Sequence, residues 1–253
     1  MRQVLILVAA LGFATSAALA AEVDPAPFRP YASSLIDRLE VGTERLAATV
    51  NAGDLEGAKE AWIAARIGWE RGETFLAAYF PEADEAIDTW PDAAAGFHAL
   101  EPLLFGAGDL EDAKPLAAAL LADVGRLQSR FAEQTFDAQG LIDGLAGIAF
   151  EIGSAKATGG ESPFAGTSLN DMQDNLRGIE ALYALSFAPA LEAQDPVLHR
   201  RIVERMMDLG AALAVPSIAD LDQSRVMALS ERLAGDLQEA AGVLNLEEPA
   251  LGG

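Results

Sequence analysis

From Pro30 onward the apolar residues of this chain recur at steps of three and four rather than two. Ala, Leu, Glu and Arg, all good helix formers, are abundant, and runs of Val, Ile or Thr are few. Apolar stripes of that period are buried by packing helix against helix, so the fold class is all-α.

The start and stop signals divide the pattern into about eight helices. The first covers 31–50 and ends at Asn51-Ala52-Gly53, where Asp54 caps a second, long helix that reaches Tyr79 and stops at Pro81. An acidic connection, 82–91, leads into a short helix over 93–105, and Gly106 and Gly108 then break the chain. The fourth and fifth helices occupy 110–134 and 138–157, the latter closing at Thr158-Gly159-Gly160. Past the loop 161–166, Ser168 with Asp171 resembles a capping box opening a sixth helix to Phe187. Asp195-Pro196 starts the seventh, Pro216 ends it, and the eighth spans 221–244. Helices joined by short turns are antiparallel neighbours, so the expected architecture is two side-by-side antiparallel four-helix bundles. These occupy 21–136 and 137–246, with 247–253 expected as a disordered tail.

The first twenty residues read differently. Arg2, the apolar run from Val4 to Phe13, and Ala18-Leu19-Ala20 before Ala21 form a secretory signal peptide with a small-residue cleavage site. Export points to the periplasm, and with no Cys in the chain, stability there must come from packing or a bound ion. Cleavage removes Arg2 and no acid, moving the formal charge from −22 to −23. Such a surface repels nucleic acid and anionic lipid, and attracts cations. The acids are spread along the chain, so a site must be argued from spacing.

On the second helix, Trp62, Arg66, Trp69, Glu70 and Glu73 fall on one flank. An exposed acid pair needs no explanation, but this pair lies beside Trp62, Trp69 and Phe75, which indicates a partly buried flank. Unpaired carboxylates are costly there, and a cation or Arg66 would relieve that cost. The connection 82–91 adds Asp84, Glu85 and Asp88. In Gly96-Phe97-His98-Ala99-Leu100-Glu101, one of only two histidines precedes a carboxylate by three residues, a spacing that lets both reach one ion. A lone histidine at a core margin is more often a hydrogen-bonded core residue than a ligand. Glu70, Glu73, Asp88, His98 and Glu101 together, however, converge on one cleft between antiparallel helices two and three. One imidazole with several carboxylates favours iron, Fe2+ or Fe3+, with calcium, manganese, copper or zinc as other candidates. Structural zinc is disfavoured because thiols are absent. The paired Glu-x-x-His of di-iron bundles, the His-Glu-x-x-His helix, the Gly-x-Ser-x-Gly elbow and the phosphate loop are all missing.

Taken in order, these pieces resemble the imelysin-like family, a peptidase-type domain of periplasmic iron-uptake proteins, in its short EfeO/EfeM-like form. The matching pieces are Gly53-Asp54-Leu55 with Ala58-Lys59, Ala65-Arg66 with Trp69-Glu70 and Glu73, Asp84 with Ala86-Ile87-Asp88, and Gly96-Phe97-His98 with Leu100-Glu101. A second block comprises Lys156, Gly159-Gly160-Glu161, and Thr167 through Gly178. The resemblance implies a helical double bundle and a cation site on the His-x-x-Glu pair, His98 and Glu101, with Glu70, Glu73 and Asp88 facing it. Glu161 matches an acid of the second bundle's loop, and Asp171 and Asn175 match positions that cap and pack at the cleft. The chain departs from the family at Thr89-Trp90, where Arg is frequent after Ile-Asp, and at Pro163-Phe164-Ala165, where Tyr-Ser-His is frequent. The implied function is periplasmic iron binding in iron uptake, in company with a membrane iron permease or a periplasmic peroxidase. A metallopeptidase using one carboxylate as general base, and a cation-dependent polysaccharide binder, are the alternatives.

Overall fold

The computed structural model describes residues 22–91 and 93–251; the expected signal peptide lies outside them. Every regular element among the described residues is helical: α1 Arg29–Ala52, α2 Leu55–Tyr79, α3 Pro81–Asp88, α4 Gly96–Glu101, α5 Leu110–Glu133, α6 Ala138–Ser154, α7 Ser168–Leu182, α8 Ala188–Gln194, α9 Pro196–Leu213 and α10 Gln223–Val243. No helix among them is long and apolar enough to cross a membrane.

Aspartate sets half of the ten starting points. Asp54, Asp109, Asp137, Asp195 and Asp222 each accept a backbone N–H two or three residues ahead, which satisfies donors the helix cannot. Each such cap is worth ~1 kcal/mol. Gly53, at φ 76°, closes α1 in the left-handed conformation.

Three expectations about the helices are corrected. The acidic connection 82–91 contains α3, because Pro81 fits the first helical position and Glu82 and Asp84 in the first turn suit the positive end of the helix dipole. The third predicted helix is shorter than expected: Pro102 has no N–H to continue the ladder, and Pro102–Ala107 widens into a π turn. Ser168 is not a cap but the first residue of α7. Its Oγ accepts the Ser162 N–H and donates to the Gly159 carbonyl, while the Asp171 carboxylate accepts the Ser162 and Thr167 hydroxyls. The polar groups expected to cap the helix fold the preceding loop back on it instead.

Helices α1, α2 and α5, with α3 and α4 along one side, pack as one bundle, and α6, α7, α9 and α10 pack as the other. The two share α2, which lies against α1 on one flank and against α6 and α7 on the other, so the apolar core runs through both without interruption. Two glycines set this closeness. A Cβ on Gly144 would stand 2.1 Å from the Thr74 carbonyl oxygen, and one on Gly178 would stand 2.3 Å from that of Arg71. Residues 247–251, expected in a disordered tail, are held: the Glu247 N–H donates to Gln139, Gln238 donates to the Pro249 carbonyl, and Leu251 packs on the core.

Candidate metal centre

The seam along α2 is where the polar residues gather. Helical steps of three and four turn Arg66, Glu70 and Glu73 of α2 away from α1 and toward the second bundle. Asp88 comes from the end of α3, His98 and Glu101 from α4, and Asp171 and Asn175 from α7. Lys156, in the one-turn helix after α6, and Glu161, in the loop that follows, complete the set. Arg66 and Glu70 are among the most buried residues, at 1% and 0% exposed.

Two cations organise these acids. The Arg66 guanidinium donates to Asp88 Oδ1 at 2.6 Å and to Glu70 Oε1, and lies 3.4 Å from Asp171 Oδ2 and 3.6 Å from Glu161 Oε1. Its Nη1 is also 3.3 Å from His98 Nε2, and its Cζ lies over the rings of Trp62 and Phe97 at 5.3 and 5.6 Å from their centroids. The Lys156 ammonium donates to Glu73 Oε2 and Glu161 Oε1 at 2.9 Å and to Glu70 Oε2 at 3.2 Å. Asn175 Nδ2 bridges Glu70 Oε2 and Glu73 Oε2 at 3.0 and 2.8 Å.

Among the described residues, five carboxylates, of Glu70, Glu73, Asp88, Glu161 and Asp171, therefore face only two fixed cations. Protonation equilibria record the imbalance. Burial lifts Glu70 well above the carboxylate range despite Arg66 and Lys156, lifts Glu73 to about 8 despite Lys156, and raises Asp171 despite Arg66. Burial acts on Asp88 in the same direction, but Arg66 and the His98 hydrogen bond outweigh it and hold that carboxyl well below its usual range. Burial disfavours the charge on Arg66 and Lys156, yet the surrounding carboxylates raise both.

Within this network Asp88, His98 and Glu161 each offer a ligand atom within 4.8 Å of the other two, a spread one ion can bridge. Two of their atoms, Glu161 Oε2 and His98 Nδ1, are buried with no hydrogen-bond partner among the described residues. Buried polar atoms are rarely left so, and each costs about 1–3 kcal/mol. Beside them opens a cavity of about 340 Å³ lined by Glu73, Asp84, Asp88, Glu151, Lys156 and Glu161. Asp84 is pushed up to about 6 by burial and by Asp88 and Glu151.

Of the residues expected from sequence, the structure thus brings Glu70, Glu73, Asp88, His98, Glu161, Asp171, Asn175 and Arg66 into one cluster. Glu70 and Glu73 stand in it with their oxygens on Arg66, Lys156 and Asn175. Glu101 faces the loop instead: its Oε1 accepts the N–H groups of Phe164 and Ala165, both at 2.8 Å. Lys156 is the central residue that sequence reasoning did not assign. Its signals were its place among the family-matching residues of the second block and its position, five residues before Glu161 and just ahead of Gly159-Gly160.

Comparison with known proteins agrees with this architecture. The family model described as Imelysin, peptidase M75, matches residues 26–96 and 83–244. The chain belongs to the imelysin family. Among imelysin relatives, it is 28% identical to the iron uptake system component EfeM of Pseudomonas syringae pv. syringae over 92% of this chain and 88% of that protein. It is 29% identical to the iron uptake system component EfeO of Yersinia pseudotuberculosis over 88% of this chain, and 28% identical to that of Escherichia coli over 87%. Those matches span 64% and 63% of the EfeO chains, so this imelysin covers less than two thirds of their length. A crystal structure from Parabacteroides distasonis, described as an iron-regulated protein A precursor, superposes with a TM-score of 0.66 over 88% of this chain and 95% of that one, at 19% identity. That likeness establishes the shared helical fold.

Proposed function

We propose that this imelysin protein binds iron as cargo in iron uptake, in the periplasm, holding the ion in the seam between the two bundles. Asp88, His98 and Glu161 are the direct ligands in this reading, and Glu70, Glu73 and Asp171 stand around them as carboxyl groups able to give up protons when the ion enters. The observation that carries it is the pair of buried, unpartnered atoms, Glu161 Oε2 and His98 Nδ1, within a group whose members can all reach one point. A mixed imidazole and carboxylate set suits iron, and the excess of carboxylates over Arg66 and Lys156 favours an ion of charge two or three. The names of the EfeM and EfeO relatives point the same way. In this reading the ion is bound and passed on without chemistry, to a membrane iron permease or a periplasmic peroxidase.

Calorimetric titration of the mature chain tests it, with ferrous iron under anaerobic conditions and ferric iron as a weak chelate. Binding to the wild type and its loss in both His98→Ala and Glu161→Gln is the expected result. Equal affinity in all three proteins would sink the assignment.

A further inference from the structure

The acid of the His-x-x-Glu motif stands apart from the Asp88, His98 and Glu161 group. Glu101 is 2% exposed, and its Oε1 holds two backbone N–H groups of the loop 159–167, from Phe164 and Ala165, at 2.8 Å each. That loop belongs to the second half of the chain, 63 and 64 residues further on. It is bracketed by Gly159 and Gly166, both in the left-handed conformation at φ 74° and 70°, where a residue with a Cβ is strained. Between those glycines, Glu161 is buried at 7% exposed while Phe164 is 56% exposed. At its base the loop is fixed by the Ser162 N–H on Ser168 Oγ and the Ser162 hydroxyl on Asp171. The outer part, 164–165, is fixed by Glu101. Two N–H donors on one carboxylate oxygen are charge-assisted and strongly directional.

We propose that Glu101 is a positioning residue, which holds the loop 159–167 against α4 and so presents Glu161 to His98 and Asp88, rather than a ligand of the ion. The i and i+3 spacing of the motif then has two separate uses on one helix face. His98 addresses the site, and Glu101, one turn later, addresses the loop that brings the opposing ligand from the other bundle. Only the final consequence, on metal affinity, rests on the proposed function above. The tether itself does not.

The test uses the mature chain and its Glu101→Ala, Glu101→Gln and Glu161→Gln variants in two measurements. The first is amide hydrogen exchange over residues 159–167 without metal, with α2 as the internal reference. Glu101→Ala is expected to speed exchange at Phe164 and Ala165 by at least about tenfold while α2 stays protected, since a charged acceptor is lost. Glu101→Gln, whose amide oxygen can accept the same two N–H groups, is expected to restore most of that protection. Unchanged loop exchange in Glu101→Ala overturns the proposal, whatever metal does. The second is titration with Fe(II), and with Mn(II) followed by electron paramagnetic resonance. Glu101→Gln is expected to bind much like the wild type, while Glu101→Ala and Glu161→Gln bind at least about tenfold more weakly. A Glu101→Gln protein that keeps its loop protected yet binds as poorly as Glu161→Gln makes Glu101 a ligand and overturns the proposal. If the wild type binds neither ion, the iron reading fails, and the exchange data still decide the tether.

Discussion

The Lys156 ammonium lies 2.9 Å from Glu73 Oε2, with 2% of the lysine side chain and 7% of the glutamate exposed. Even with that partner, burial keeps the Glu73 carboxyl at about 8. A raised carboxylate pKa means that the folded state retains its proton where the unfolded chain has released it. The group's contribution is then most favourable below the unfolded pKa, near 4.5, and is lost as pH rises toward 8. Glu70, Asp84 and Asp171 shift in the same direction. Asp88 shifts oppositely and matters only in stronger acid.

The melting temperature is therefore expected to be higher at pH 5 than at pH 8, by at least about 3 °C at constant ionic strength. Scanning calorimetry across that range checks it. A Tm that climbs steadily from pH 5 to 8 would contradict the burial of these acids.

Replacing Lys156 by Met leaves Glu70, Glu73 and Glu161 without their shared cation. Removing one partner of a buried ionic network costs ~3–5 kcal/mol. Urea unfolding at pH 7.5 should register that loss, and lowering the pH to 5 should recover part of it as the acids protonate. A loss of similar size at both pH values would point to packing rather than charge.

At Gly178 the neighbour is the Arg71 carbonyl, 2.3 Å from where a Cβ would stand, and backbone cannot swing aside as a side chain can. Gly178→Ala is expected to push α7 off α2 and to destabilise by about 1–3 kcal/mol. Because Asn175 sits one turn earlier and donates to both Glu70 and Glu73, the same variant should weaken iron binding without touching a proposed ligand. Gly125→Ala, an open helical position, is the control, expected within about 0.5 kcal/mol of wild type.

Asn175→Leu removes a buried donor from two carboxylates and one carbonyl. A cost of about 1–3 kcal/mol is expected. Asn175→Asp should cost more, because it adds a sixth acid to the cluster, and the gap between the two variants should narrow at pH 5. Parallel denaturation curves at both pH values would refute this.

Much of the frame was legible in the letters. The reading of α2 from the Asp54 cap to Pro81 matches its observed bounds, because cap and stop are local signals. The buried flank was readable from Trp62, Trp69 and Phe75, whose period leaves Glu70 and Glu73 no exposed face. The helix α3 was missed because four acids in eight residues resemble a solvated connection, although Pro81 and the early acids are what a helix start favours. Lys156 was named with the second block, but its role in the cluster was missed for a different reason. Lysine is among the residues least often buried, and its partners Glu73 and Glu70 are 83 and 86 residues away, beyond the reach of any periodicity. The place of Glu101 was hidden in the same way, since its partners are backbone groups of a distant loop, which carry no residue signature.

The ion pairs across the α2 seam also do for this cysteine-free chain what a disulfide does elsewhere. Arg66 to Glu161 and Lys156 to Glu73 join segments far apart in sequence, as a covalent crosslink would, but with a fastening that answers to protons and is blind to electrons. A thiol reductant or an oxidant leaves such a clasp shut, whereas a rise in pH that strips the protons from Glu70 and Glu73 loosens it. The strength with which the two halves hold together is thereby tied to the acidity of the surrounding medium rather than to its redox state.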